Sequence, residues 1–195
     1  MRQLLFLSLL LLVIVNGCKP KKDNTPSVPE KANTYDTSTF YDVKGFFESE
    51  INDVKASPYF ISSKIIKDNK KKDSLAITNK DFVVLAKQFL DKDITQKEIK
   101  HFYKEDIFRD LTTKSITFSY TTRNQELEIQ NLDVLLDEET NKVKFVFIRT
   151  YKKEGGASVF TQMNWYKGNS FLINTTVIKS DASKSTTQQY VNWHY

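Results

Sequence analysis

The chain has 195 residues and a formal net charge of +5, from 29 Lys and Arg against 24 Asp and Glu, with one Cys, two His, 14 Phe and 9 Tyr. That length suits one domain with a sizeable core, and five Gly and four Pro among so many aromatic residues exclude collagen-like and wholly disordered chains. One Cys and two His cannot build a disulfide, a Cys-rich zinc site or a His-rich metal cluster, so the composition implies no cofactor.

At the start of the chain, Arg2 precedes an apolar run from Leu4 to Val15 that is interrupted only by Ser8. A run of about 12 residues is too short to span a bilayer, which takes roughly 20, and suits the h-region of a secretory signal over residues 1–17. It stops at Val15-Asn16-Gly17-Cys18, with a branched aliphatic residue three before the Cys and a small residue just before it. This motif resembles the lipobox of bacterial lipoproteins, and the chain as a whole looks like a small bacterial envelope lipoprotein. The resemblance implies cleavage after Gly17, with Cys18 becoming the mature N-terminus and carrying diacylglycerol on its sulfur and a fatty acid on its amine. Two or more acyl chains anchor a protein stably where one does not. Residues 18–35, with Pro20, Pro26 and Pro29 among Lys, Asn, Thr and Ser, read as a flexible tether. A chain of that length has an end-to-end distance of roughly 20–25 Å. In lipoproteins of the enterobacterial type an Asp after the Cys retains the protein at the inner membrane; Lys19 stands there, which implies the periplasmic face of the outer membrane.

The remainder, 36–195, reads as one globular domain. Phe40, Val43, Phe47, Ile51 and Val54 recur at helical spacing, with Ser38 or Thr39 to cap the start and Pro58 to end it. Gly45 inside this helix costs about 1 kcal/mol relative to Ala, which points to close packing there. Two strands follow at 59–67 and 74–78, joined by a charged turn at 68–73. Thr78 and Asp81 form a capping-box pattern before Phe82, Leu85, Ala86, Phe89 and Leu90. Thr95 to Glu98 repeats the start signal for a short third helix reaching Tyr103, and 104–113 has no clear pattern.

Beyond that point the period becomes two. Ile116, Phe118 and Tyr120 alternate with polar residues, and Leu127 and Ile129 begin a strand whose phase shifts near Gln130-Asn131, as at a bulge. The segment 143–151 is apolar on both faces, as in a central strand. Gly155-Gly156 and Gly168-Asn169 mark hairpin turns between strands at 157–167 and 170–179, and 185–193 reads as the last strand. The expected fold is α+β: a curved antiparallel sheet built as α-β-β-α-α and then a six-strand meander, with helices covering one face.

Catalytic constellations are sparse. With Cys18 acylated the only imidazoles are His101 and His194, and neither sits beside a nucleophile motif. Glu126 and Glu128 share a strand face, Asp137-Glu138-Glu139 forms a turn without EF-hand spacing, and Asp106 and Asp110 flank Arg109 as in a structural ion pair. Gly155-Gly156 does not precede a helix and so offers no phosphate cradle. The positive charge is 25 Lys against four Arg spread along the chain, which does not suit nucleic-acid recognition. The final strands hold Trp165, Tyr166, Tyr190 and Trp193 interleaved with Gln162, Asn164, Asn174, Gln188, Gln189 and Asn192. These could line a surface for a protein, glycan or lipid ligand, or could pack within the sheet, and Trp165 with Phe171 could pair across the Gly168-Asn169 turn. The expectation is a lipid-anchored, non-enzymatic binding or accessory module. The alternatives are a half-barrel carrier for lipid or acylated peptide, resembling lipoprotein-localisation factors, and a wall hydrolase using two carboxylates.

Overall fold

A computed structural model describes residues 40–71 and 74–194 of the chain, all within one compact unit. The leader, Gly17, Cys18, the tether, the caps Ser38 and Thr39, and Tyr195 lie outside the described residues. Three helices, α1 (Val43–Ala56), α2 (Asn79–Leu90) and α3 (Lys97–Lys100), accompany ten strands. These are β1 (Phe60–Lys67), β2 (Lys70–Lys71), β3 (Leu75–Ala76), β4 (Tyr103–Asp110), β5 (Ser115–Thr122), β6 (Ile129–Asp137), β7 (Val143–Glu154), β8 (Ala157–Tyr166), β9 (Ser170–Ile178) and β10 (Lys184–His194). They form one antiparallel sheet in the order β2-β1-β10-β9-β8-β7-β6-β5-β4, with β3 also paired to β1.

The amphipathic stripe of α1 behaves as its spacing predicts, since Val43, Phe47, Ile51 and Val54 are all buried. Its cap is Asp42, whose side chain accepts from the Gly45 backbone N–H, so the helix begins later than the Thr39 start that the pattern suggested. The Thr78–Asp81 capping box forms as read, and α2 buries Phe82, Ala86 and Phe89. The third helix stops at Lys100; Tyr103 already belongs to β4, and the unassigned stretch is the rest of that strand to Asp110 and the turn after it. The meander therefore has seven strands, β4 to β10, instead of six. The turn at 68–73 holds the two-residue strand β2, reversed by Asp68 and Asn69, both at positive φ (47° and 63°). The Gly155-Gly156 turn has the same left-handed signature, at φ 56° and 77°. The phase shift near Gln130-Asn131 is a register irregularity between Ile129 and Asn131, as expected of a bulge.

Residues paired across antiparallel strands share a face, so the register sorts the sheet into two. Ile61, Trp193, Phe171, Trp165, Ile148 and Leu132 point to one side, where all are buried. Helical rings meet them there: Phe47 lies 5.2 Å from Trp165, Phe82 5.1 Å from Trp193, and Phe89 5.3 Å from Phe171. No described helix is long and apolar enough to cross a membrane.

Candidate functional surface

Trp165 and Tyr166 are consecutive on a strand and so face opposite ways. Trp165 is fully buried and Trp193 is 1% exposed, whereas Tyr166 and Tyr190 are 45% and 38% exposed on the other side of the sheet. The four aromatics named from sequence therefore do not share a surface. The two tryptophans are core, held in the alternative packing role: Trp165 stacks on Phe171 at 5.3 Å, across the turn that the sequence marked. Trp165 Nε1 also donates to Glu50 Oε2 of α1 (3.3 Å), and the Gly168 N–H donates to the same oxygen at 2.7 Å, which ties the helix to the β8–β9 turn.

Opposite the helices, the register lays the polar residues in a row across the strands. Gln188 pairs with Asn174, Asn174 with Gln162, Gln162 with Arg149, and Arg149 with Asn131. Four strand spacings of ~4.8 Å make this row about 19 Å long. Gln189, by contrast, pairs with Ile173 and Ile65 and belongs to the helix-facing phase. Aromatic residues flank the row on both sides. Tyr151 and Phe160 pair with rings 4.9 Å apart, and Phe145 and Tyr166 pair at 4.8 Å. The Asn174 Oδ1 atom is buried without a donor, so the row does not saturate its own hydrogen-bonding capacity.

At the β6–β7–β8 end of this face, Gln125, Gln130, Arg149, Thr150, Tyr151 and Phe160 line a cleft of about 460 Å³. Beside it a second depression of about 510 Å³ includes Glu126, Glu128, Lys152 and Lys153. Glu126 and Glu128 lie in the β5–β6 turn and not on a strand, which corrects their expected placement. Glu128 is bound to Lys92 at 2.6 Å, and Glu126 is exposed. Asp106 pairs with Lys104 at 2.7 Å. Arg109 donates to Glu138, and the Asp110 carboxylate is occupied by Thr112 and Thr113, which depress its pKa, chiefly through the Thr113 hydroxyl. Asp137 is lowered to about 2, first by Lys144 and then by the Thr140 N–H and hydroxyl. Each of these acids is committed to a cation, to hydroxyl and amide donors, or to solvent; of the two that line one depression, Glu128 is held by Lys92 and Glu126 is exposed.

The imidazoles are far apart in role. His101 lies tilted against Phe102 at 3.9 Å and, with Phe40, Lys97, Lys100 and Tyr103, lines a cleft of about 420 Å³, while His194 lies 5.5 Å from Phe60 at the β1–β10 margin. Among the described residues no group of three His, Cys, Asp or Glu is placed to hold a metal ion.

No family model, curated protein or solved structure matches this chain. Arg149, Tyr151 and Phe160 escaped the sequence reading. Arg149 is one of only four Arg, but it shares the 143–151 run with Lys144 and Thr150, and its neighbours across the sheet depend on a register that no local pattern specifies.

Proposed function

We propose that this protein is a lipid-anchored envelope lipoprotein acting as a non-enzymatic binding module. In this reading Cys18 carries the acyl chains, the tether holds the domain off the periplasmic face of the outer membrane, helices cover one side of a curved sheet, and the other side meets the ligand. The observation that carries it is the half of the sheet bearing Tyr166, Tyr190 and Phe160, each more than a third exposed, around a row of amides. Aromatic faces and unsaturated amides together suit a polar ligand with an apolar face. The carrier alternative draws less support, because Trp165, Trp193, Phe47, Phe82, Phe89 and Phe171 fill the space between helices and sheet where an acyl chain would need room.

The test uses the full chain, purified from membranes and carrying 3-fluorotyrosine, with fluorine NMR signals assigned by single Tyr→Phe variants. Adding solubilised envelope polysaccharide is expected to shift Tyr166 and Tyr190 and to leave the buried Tyr103 and Tyr120 in place. Shifts confined to Tyr41 and Tyr59 would put the ligand elsewhere. Intact mass checks the anchor: loss of 1–17 with acyl chains on Cys18 is expected, and Cys18→Ser should release the protein from the membrane fraction.

A further inference from the structure

The cleft at the end of the amide row has a chemistry of its own. The chain carries 25 Lys but only four Arg, and on the outward phase of β7 the Arg149 guanidinium follows Phe145 and Phe147 and precedes Tyr151. Arg149 is exposed on the cleft wall, and no carboxylate is within ion-pair distance of it among the described residues. The acid closest to it in register on that face, Asp133, already accepts from the Ser119 hydroxyl (2.6 Å) and the Asn131 amide (2.9 Å). An isolated exposed Arg would be a solvated cation and nothing more. Here it sits between the paired rings of Tyr151 and Phe160 on one side and Gln162 on its other register position, with Gln125 and Gln130 across the cleft. The Gln130 Nε2 donates to backbone carbonyls of the β5–β6 turn, which holds its amide in place and leaves Oε1 as an acceptor.

Resting on the binding-module reading, we infer that this cleft takes an acidic saccharide, with its carboxylate on Arg149 and a sugar ring against Tyr151 and Phe160. A planar guanidinium fork matches a carboxylate through two parallel hydrogen bonds. Aromatic faces accommodate the C–H side of a sugar ring, and amides, which both donate and accept, match hydroxyls, which do the same. A polyanion such as nucleic acid would call for several cations along its path, and the row running on from Arg149 is uncharged at Gln162, Asn174 and Gln188. That continuation gives an oligosaccharide further hydroxyl partners along about 15 Å of sheet, at one strand per ~4.8 Å.

The probes are trigalacturonic acid and cellotriose, acidic and neutral sugars of equal length, titrated into the fluorotyrosine-labelled full chain. Trigalacturonate is expected to shift the Tyr151 signal saturably and to bind at least about tenfold more tightly than cellotriose, the size of effect that a charged hydrogen-bonded contact gives. Arg149→Gln should abolish that preference. Arg149→Lys, which keeps the charge and loses the fork, should fall between the two, with an unshifted Tyr120 signal reporting an intact core in both variants. Equal affinity for the two sugars, or an Arg149→Gln protein that still prefers the acid, would overturn the acidic-saccharide assignment while leaving the sheet face as a binding surface. Silence of Tyr151, Tyr166 and Tyr190 with both probes and with envelope polysaccharide would overturn the assignment and the binding-module reading together.

Discussion

At the scale of single residues, the start of α1 turns on one contact. A Cβ on Gly45 would collide with Oδ2 of Asp42, whose Oδ1 caps the helix by accepting from the Gly45 N–H at 2.8 Å. Asp42→Ala should cost about 1 kcal/mol of stability. Gly45→Ala gains about 1 kcal/mol of helix propensity but displaces the cap, so it should be close to neutral alone and stabilising only where Asp42 is already Ala. Urea denaturation of the two singles and the double measures this coupling; strictly additive effects would refute it. Tyr103 offers a pH test. Its hydroxyl donates to the Ile129 carbonyl at 2.8 Å, at the bulge, and burial, with a smaller contribution from Glu128, raises its pKa from 10.0 to about 12. A folded value above the unfolded one means that the folded state holds its proton longer, so this stability is complete below pH 10.0 and is lost as pH rises to about 12. Tyr103→Phe should lower stability by about 1–2 kcal/mol at neutral pH and lose less on going from pH 9 to 11, as read by thermal unfolding at each pH. Asp137 runs the other way. Its folded pKa, lowered from 3.8 to about 2, gives stability that is present above 3.8 and lost as pH falls through about 2, so Asp137→Asn and the parent chain should differ at pH 6 and converge near pH 2.

At the scale of elements, what could be read from sequence depended on whether one face of each element is apolar. The stripe of α1, the capping box of α2 and the Gly-marked hairpins are local signals, and they were legible because a few neighbouring side chains decide them. Strand β4 was not. Its helix-side positions are Tyr103, Glu105, Ile107 and Arg109, so polar residues interrupt the buried phase, while Phe108 points outward at 66% exposure. Such alternation reads as noise in a one-dimensional pattern, and it suits an edge strand, where inward and flanking charges discourage pairing with another chain. The same limit applied to the candidate surface. Aromatic and amide residues of the last strands were visible, but the phase that sends Trp165 to the core and Tyr166 outward is fixed by pairing, as is the meeting of Arg149 with Gln162. Glu50 shows how the elements are joined. One oxygen serves both Trp165 Nε1 and the Gly168 N–H, so Glu50→Ala should cost about 1–3 kcal/mol by stranding those donors, and Glu50→Gln, which keeps an acceptor, should cost less. Equal losses in urea denaturation would mean that the helix is held by apolar packing alone.

At the scale of the whole molecule, the sheet closes the chain on itself. β1 pairs along its full length with β10, from Phe60 opposite His194 to Lys67 opposite Thr187, so the last strand lies between β1 and β9. The helices precede the meander in sequence, yet the rings they bury against, Trp165, Phe171 and Trp193, come from β8, β9 and β10. α1 and α2 meet each other through Phe47 and Phe89, 5.1 Å apart, but the tryptophan and phenylalanine rings of the sheet that cover them arrive only with those late strands. Contacts of such long sequence separation favour folding on a scale of about milliseconds to seconds. Ending the chain after residue 183 removes Val191 and Trp193 from the core, leaves β1 without its principal partner and exposes β9 as a long apolar edge. The truncated chain should therefore lose the near-ultraviolet circular dichroism of its buried tryptophan environment and its cooperative thermal transition, not merely a few degrees of stability. A peptide of residues 184–194 added in trans should restore part of that signal by reoccupying the slot between β1 and β9. If the truncated chain instead unfolds cooperatively with native-like aromatic dichroism, the meander up to β9 organises the helices without β10, and β1 is an appendage to the sheet, not the strand whose capture completes it.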